Sequence, residues 1–447
     1  MSLEITNSSK FIINEISMVT KTGKLDLSGI FEELNLFDSI FVSIMNGNIL
    51  ITDSIGLSDK FLFDGSEAIL IDISKGPGST ILNFKKAFRI YKQTDREVIN
   101  QNSERYILHF VSDELIYSDQ QLVNQAYRTS YDEVARKILT NYLKIPATKQ
   151  NGLIEKTVGI RDIVVPNLKP LEAIEWCAKR AIDSKRSPNY MFFENNVGYN
   201  FASLSTMLSQ SELFTIKFPP KNLEQTNVID DLLSPKHFEV INQTDKIKTT
   251  RSGVNAGTFI GFDPITRTIA TRKIGYEDHY SRMKHANDNP NYSAAVNKSG
   301  LDASQAYDSK KTVASFGTFR KESNYIKKYD PTSLSKLEVQ EDFVFQRKAI
   351  ISNLMNKRIK LVMPGNFQMT SGFVLNVRVP NSAVKAGGDE NEDRSLSGRY
   401  LITAARHIIS YEKHETVLEL ATTSNELEFI PSATDQQTRD IDNYGSY

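Results

Sequence analysis

His407 and His414 stand seven residues apart near the end of the chain, with Glu412, Glu415 and Glu419 beside them. Imidazoles and carboxylates bind transition metals and move protons near neutral pH, so this is the first place to look for chemistry. The two histidines fall on predicted strands separated by a turn, a spacing that fixes no common face, and they are expected as a surface pair. His279 and His285, with Asp278 and Asp288, lie in a low-hydropathy segment that offers no regular scaffold to preorganise a site. KGPGST, from Lys75, is glycine-rich but lacks the Gly-Lys-Ser/Thr ending and following helix of a phosphate-cradling loop, and reads as a turn between strands. Cys177, beside Trp176 on a predicted helix, reads as buried packing. Glu32-Glu33, Asp230-Asp231 and Glu390 with Glu392 are neighbouring charges on predicted loops, whereas glycoside hydrolysis needs two carboxylates held across a cleft. The glycosylation sequons at Asn7, Asn242, Asn291 and Asn297 mean little without a secretory route. No catalytic, cofactor-binding or metal-ligating residue is assigned, and no cofactor is expected. The chain is read as a structural protein and not an enzyme.

Composition bounds what the rest can be. At 447 residues the chain is too long for one ordinary core, and two to four domains are expected. Lys+Arg and Asp+Glu both number 54, so no net charge draws it to nucleic acid or to acidic membranes. One cysteine excludes an internal disulfide framework and a cysteine-rich zinc site. The first twenty residues carry no apolar core of a secretory signal, and no run approaches a membrane-spanning length, so no stable membrane insertion is expected.

The elements follow from periodicity. IFVSIMNGNILIT, Ile40 to Thr52, predicts a hairpin turning at Asn46-Gly47, because both central residues of a type I′ turn take positive φ. FLFDGSEAILIDIS predicts a second hairpin near Asp64-Gly65, and LNFKKAFRIYKQ and ERYILHFVS add two strands. From Asp113 the period becomes helical. Leu122 and Ala126, then Val134, Ile138, Leu139 and Tyr142 are so spaced, with Ser130 as N-cap and Glu133 completing a capping box. After Pro166 a second helix carries Leu171, Ile174, Ala178 and Ile182 on one stripe, with Pro170 in its first turn and Ser187-Pro188 at its end. YMFFENNVGYNFASL predicts a hairpin around Asn195-Asn196. Residues 277–329 are rich in Asn, Asp, Ser and Lys, and are expected as a long polar loop.

A helix is expected over 342–355 and a strand over Ile359–Met363. A final meander follows: GFVLNVRVP with Phe373, Leu375, Val377 and Val379 alternating, then Tyr400, Ile402, Ala404, Arg406 and Ile408 on one face of a second strand, then a third from Glu415 to Ala421.

The closing meander from Ser397 to Ala421 resembles the last barrel of phage baseplate-hub proteins. That family takes in the hubs of T-even-like contractile tails, the late-control D proteins and the hub part of type VI secretion spikes. Further matches lie in family order. Glu172-Ala173-Ile174, Lys179-Arg180-Ala181, Tyr190 to Glu194 and Gly198 to Leu204 are similar to the central segment, and Arg251 to Gly257 with Phe262 to Arg267 resemble the glycine-to-aspartate segment.

The resemblance implies an α+β, mainly β chain with two small tube-protein-like β-barrels flanking a mixed middle. The expected divisions are 1–112 (first barrel), 113–210 (helical and mixed), 211–345 (mixed β with the 277–329 loop), 346–421 (second barrel) and 422–447 (polar tail). It also implies a homotrimeric ring of pseudo-sixfold symmetry between a sixfold tail tube and a threefold spike, with a channel for DNA in transit. The implied partners are the tail tube protein and the central spike protein, with baseplate wedge and tape-measure proteins as further candidates. The implied location is the virion's tail baseplate, assembled in the host cytoplasm. The alternatives are the hub or spike of a type VI secretion or other contractile injection system, and a tail-associated peptidoglycan hydrolase.

Overall fold

The computed structural model describes residues 11–21, 23–57, 63–75, 83–145, 152–185, 187–218, 232–243, 245, 256–263, 267–275, 280, 283–290, 315–320, 344–380, 392–393 and 395–426. For 256–263, 268, 270–275, 290, 315–320 and 344–345 it describes the backbone alone.

The first module is β1 (Ile12–Thr20), β2 (Gly23–Asp26), β3 (Phe31–Ser39), β4 (Asn46–Asp53), β5 (Ala68–Ser74), β6 (Phe84–Asn100) and β7 (Ser103–Val111). Along much of β4, β5, β7 and the first half of β6 alternate residues point inward, as the period of two requires. Ile16 and Met18, Leu34 and Leu36, Ile49 and Ile51, Ile69 to Ile73, Phe88 and Ile90, and Tyr106 to Phe110 meet in one core. The expected hairpin at Asn46-Gly47 is not there. The chain turns between Ser39 and Asn46, and Gly47 sits inside β4, opposite Leu36. A Cβ at Gly47 would strike the Asn35 carbonyl and the Phe110 ring, so this glycine permits close approach and not a turn. Asp64-Gly65 does bend, with Gly65 at φ 83°, but β5 ladders with β1 and β6.

The middle contains α1 (Asp113–Asp119), β8 (Ala126–Thr129), α2 (Tyr131–Asn141), β9 (Arg161–Val164), α3 (Pro170–Ala178), β10 (Tyr190–Glu194), β11 (Tyr199–Ser203) and α4 (Leu204–Leu208). Val134, Ile138 and Leu139 of α2 meet Leu171, Ile174 and Cys177 of α3 over the aromatic side chains of the β10–β11 hairpin. That hairpin turns at Asn195-Asn196 as expected. Three local expectations fail. Ala126 lies in a strand paired to β9. Ser130 is the N-cap of α2 but its hydroxyl makes no cap bond. The α3 helix stops at Ala178, leaving Ile182 buried beyond its end.

The last part holds β12 (Glu212–Lys217), β13 (His237–Asn242), β14 (Ala256–Asp263), β15 (Thr268–Gly275), β16 (Asn289–Pro290), β17 (Ser315–Arg320), α5 (Val344–Leu354), β18 (Arg358–Pro364), β19 (Val374–Arg378), β20 (Gly398–Ser410), β21 (His414–Ala421) and β22 (Ser424–Asn425). Within 277–329, expected as one polar loop, β17 pairs with β14, and residues 283–290 dock through Met283 and Ala286 into a core shared with α4 and α5. Apart from Tyr280, the other residues of that stretch lie outside those described. β16 pairs with β22, so the start of the polar tail is held, with Thr422, Thr423 and Ser424 fully buried.

Thirteen of the strands join into one large sheet in the order β13-β18-β21-β20-β3-β4-β7-β6-β5-β1-β2, with β19 between β20 and β12, and the remaining ladders form four small sheets. The chain is mainly β with its helices concentrated in the middle, as expected. A ladder closing either module into a barrel is not among the described pairings.

Candidate assembly surface

The two ends of the chain are built to one plan. The first module runs β3-β4-β7-β6-β5-β1 and the last runs β13-β18-β21-β20-β19-β12, so the equivalent strands occur in the same sequence order. Register follows suit. Arg89 of β6 pairs with the first residue of β5 and the last of β7, Ala68 and Val111. Leu401 of β20 pairs with the first residue of β19 and the last of β21, Val374 and Ala421. Two residues further on each long strand slips by one, passing Tyr91 in β6 and Thr403 in β20. The plans differ at one edge, where β1 runs antiparallel to β5 but β12 runs parallel to β19.

A β-bulge turns every later side chain to the opposite face and bends the strand. The expectation that Tyr400, Ile402, Ala404, Arg406 and Ile408 share a face is therefore corrected. Tyr400 and Ile402 are buried, while beyond Thr403 it is Ala405, His407 and Ile409 that turn inward. The bulge also exchanges partners. Before it β20 ladders with β19, and after it with β3 of the first module, Ala404 opposite Ser39 through Ser410 opposite Glu33. β19 itself is buried on both faces, with Val374 in one core and Leu375 and Val377 in another, so the half-buried alternation expected there is also corrected.

The outward face of this joined sheet carries paired charges. Arg406 lies 3.6 Å from Glu33, donates from Nε to Asn35 Oδ1 at 2.9 Å and covers the Phe37 ring. Arg358 meets Glu419 at 2.9 Å, Lys360 meets Glu239 at 3.3 Å, Lys236 meets Glu415 at 3.1 Å, and Arg105 is paired with Glu32. Each of these five cations stands on a carboxylate. Glu32 and Glu33, expected on a loop, are thus strand residues of the junction.

Behind the junction, buried polar groups lock three parts together. Asp38 accepts from Ser371 N at 2.7 Å and Thr370 Oγ1 at 3.0 Å, and burial raises its carboxyl to about 6. From the β10–β11 turn, Asn195 Nδ2 donates to the Ser371 carbonyl at 2.8 Å and Asn196 Nδ2 to the Phe367 carbonyl at 3.0 Å. Glu194 accepts from Met45 N at 2.9 Å and Ser112 Oγ at 2.6 Å and is paired with Lys86.

His407 and His414 are not a surface pair. They are 2% and 1% exposed, with His407 Nδ1 3.3 Å from His414 Nε2. The ladder explains it: His407 opposes Thr416 and Ile409 opposes His414, which puts both rings on the inward face. Burial holds His407 down to about 3. It holds His414 well below the usual histidine range, with His407 and Lys75 adding to the effect. Phe367 packs on both rings. Lys75 is itself buried and donates to the Gly365 carbonyl; the rest of KGPGST lies outside the described residues.

The other candidates are scattered. His285 stacks on Tyr280, and its nitrogens lie 2.9 Å from Thr423 Oγ1 and the Tyr280 carbonyl, a tie between segments. Cys177 is fully buried. Glu392 pairs with Arg378, and Asn242 ends β13. Asp278, His279, Asp230, Asp231, Glu390, Asn7, Asn291 and Asn297 lie outside the described residues. Among the described residues no group of three or more His, Cys, Asp and Glu is gathered as a metal site. Sequence reasoning missed Asp38 and the Thr403 bulge, for which no short-range signal exists.

Two like modules joined edge to edge around a helical middle make up the described fold. The chain has the fold of the 43 kDa tail protein from prophage MuSo2 of Shewanella oneidensis, with 8% identity over 91% of this chain and 97% of that one and a TM-score of 0.50. A tail protein from Neisseria meningitidis MC58 aligns at 12% identity over 91% and 96%, with a TM-score of 0.49. The E. coli c3393 protein, a component of the type VI secretion system, aligns at 9% over 94% and 80%, with a TM-score of 0.39. No protein-family model matches the sequence, and no curated protein does.

Proposed function

We propose that this chain is the structural hub of a phage tail baseplate, assembled as a homotrimer in the host cytoplasm and carried in the virion. The repeated strand order with its matched bulges carries the reading. Two like modules per chain give three chains six quasi-equivalent modules, so a threefold ring presents a sixfold rim to a tail tube while its opposite face receives a threefold spike. The pairing of cations with carboxylates on the outward face of the joined sheet suits the wall of a channel through which DNA passes, since unpaired cations would hold the phosphates and slow their passage. In this reading the chain is not an enzyme. Mass photometry of the purified chain tests it: a species of three chains is expected, with six lobes in averaged projections down the axis. A monomer at every concentration, or two modules that face away from a shared axis, overturns it.

A further inference from the structure

Lys357, the residue before β18, is 3% exposed, and its Nζ lies 5.3 Å from the centre of the Tyr400 ring on β20. Nζ donates to Oδ1 of Asn425, in β22, at 2.8 Å. Among the described residues no carboxylate stands within ion-pair distance of it. Lys86, elsewhere in the chain, has Glu194 for that purpose. A buried ammonium set against a neutral carboxamide is a costly arrangement, because the amide offers an acceptor and no charge. Burial pulls Lys357 down to about 8, so near neutral pH it carries a usable fraction of free amine where an ordinary lysine has almost none.

The Asp393 carboxylate is near enough for its charge to act against that shift. Its Oδ1 accepts from Ser395 N and Oγ, each at 2.8 Å, and from Leu396 N at 3.2 Å, while Oδ2 takes no hydrogen bond among the described residues. An amine nucleophile, a carbonyl carbon one bond from the oxygen it touches, and a carboxylate able to carry a proton are thus gathered beside the fully buried Thr422, Thr423 and Ser424.

We propose that Lys357 and Asn425 join in an isopeptide bond that the folded chain forms by itself. The lone pair of Nζ attacks Asn425 Cγ and the Nζ–Cγ bond forms. Nζ sheds a proton, the Cγ–Nδ2 bond breaks, and Nδ2 leaves with that proton as ammonia. Asp393 carries the proton from one nitrogen to the other. Nothing is oxidised or reduced, and no co-reactant is consumed. Aminolysis of an amide is slow between free molecules, but the fold holds these two groups in contact at a large effective concentration. The product is a neutral amide, so the buried charge is gone. The bond closes residues 357–425 into a covalent loop that contains β18, β19, β20 and β21, and it ties the start of the last module to the segment that follows it. The proposal does not rest on the hub reading.

The test is the intact mass of the full-length chain, purified folded and then denatured, with a tryptic peptide map. The unaltered protein is expected to be lighter than its sequence by one ammonia and to yield a branched peptide joining Lys357 to Asn425. Asn425→Ala, at a half-buried position, and Lys357→Met, which exchanges the buried ammonium for an apolar chain, are each expected at full mass. On a denaturing gel the looped chain is expected to separate from both variants with or without reductant, since the chain has a single cysteine. Asp393→Asn keeps an acceptor for Ser395 and Leu396 but cannot take up the proton, and is expected to slow the loss of ammonia about 100-fold. Full sequence mass in the folded, unaltered protein overturns the proposal. So does a loss of ammonia that leaves only linear peptides, the mark of an asparagine cyclised on its own backbone. A loss undiminished in Asp393→Asn overturns the part given to Asp393.

Discussion

His407 and His414 face one another inside the β20–β21 hairpin with a single hydrogen bond's space between their rings and no carboxylate on either among the described residues. Two charges cannot occupy that space, which makes the pair a sensor of acid. In the unfolded chain both rings return to about 6.5. Because folding depresses them, the stability they contribute is complete above about pH 6.5 and is lost as pH falls toward the folded values. Asp38 works in the opposite sense: its carboxyl is raised to about 6, so its contribution is complete below the ordinary carboxylate value and is lost as pH rises through 6. Between pH 6 and 4 the unfolded chain carries close to two more protons on the histidines than the folded chain, while the folded chain carries about one more on Asp38. The net is a loss near 1.4 kcal/mol per pH unit. Melting temperature is expected to fall steadily from pH 7 to pH 4. With His407→Gln and His414→Gln the Asp38 contribution is left, so the fall should give way to a shallow rise toward pH 4, and a flat profile in the unaltered protein would count against the buried pair.

Asp38→Ala removes the acceptor for Ser371 N and Thr370 Oγ1 and leaves two buried donors unmet, at a cost of about 2–4 kcal/mol. Asp38→Asn keeps one carbonyl and costs less. Urea denaturation of the two variants at pH 7 measures the difference. Equal losses would mean that the carboxylate's hydrogen bonds contribute little.

Glu194 ties Met45, Ser112 and Lys86 from behind the first module. Glu194→Ala strands a half-buried ammonium and a buried amide, and the expected loss is about 3–5 kcal/mol. Adding Lys86→Met should recover part of it, because the uncompensated charge is then gone. A double variant less stable than Glu194→Ala would refute that account.

Gly47 distinguishes two readings of one dipeptide. In a type I′ turn Gly47→Asn is mild. At a close approach any Cβ meets the Asn35 carbonyl and the Phe110 ring, and Gly47→Ala is expected to cost about 1–3 kcal/mol from overpacking. Chemical denaturation of both variants decides it, and tolerance of either side chain would restore the turn.

Where period and turn chemistry agreed, the sequence was legible: β6, β7, the β10–β11 hairpin, α5 and β18 lie close to where alternation and spacing put them. Residues that serve a distant partner were not. Gly47 looks like turn chemistry because nothing nearby in sequence reveals Phe110. The face of Arg406 was misread because one extra residue at Thr403 inverts all that follows, and a bulge leaves no mark on hydropathy. His407 and His414 share a face through ladder register, which seven residues of separation cannot disclose. The repeat itself is invisible as identity, since equivalent positions such as Arg89 and Leu401, or Tyr91 and Thr403, share no chemistry. It is written in which strand pairs with which.

β20 is one unbroken strand that belongs to both modules, with seven residue pairs holding it to β3. A pull along the strands therefore loads those hydrogen bonds together, in shear, and does not open them one at a time like a zipper. The two halves of the chain cannot swivel about a linker. Mechanical force entering one of them passes into the other as into a single stiff plate.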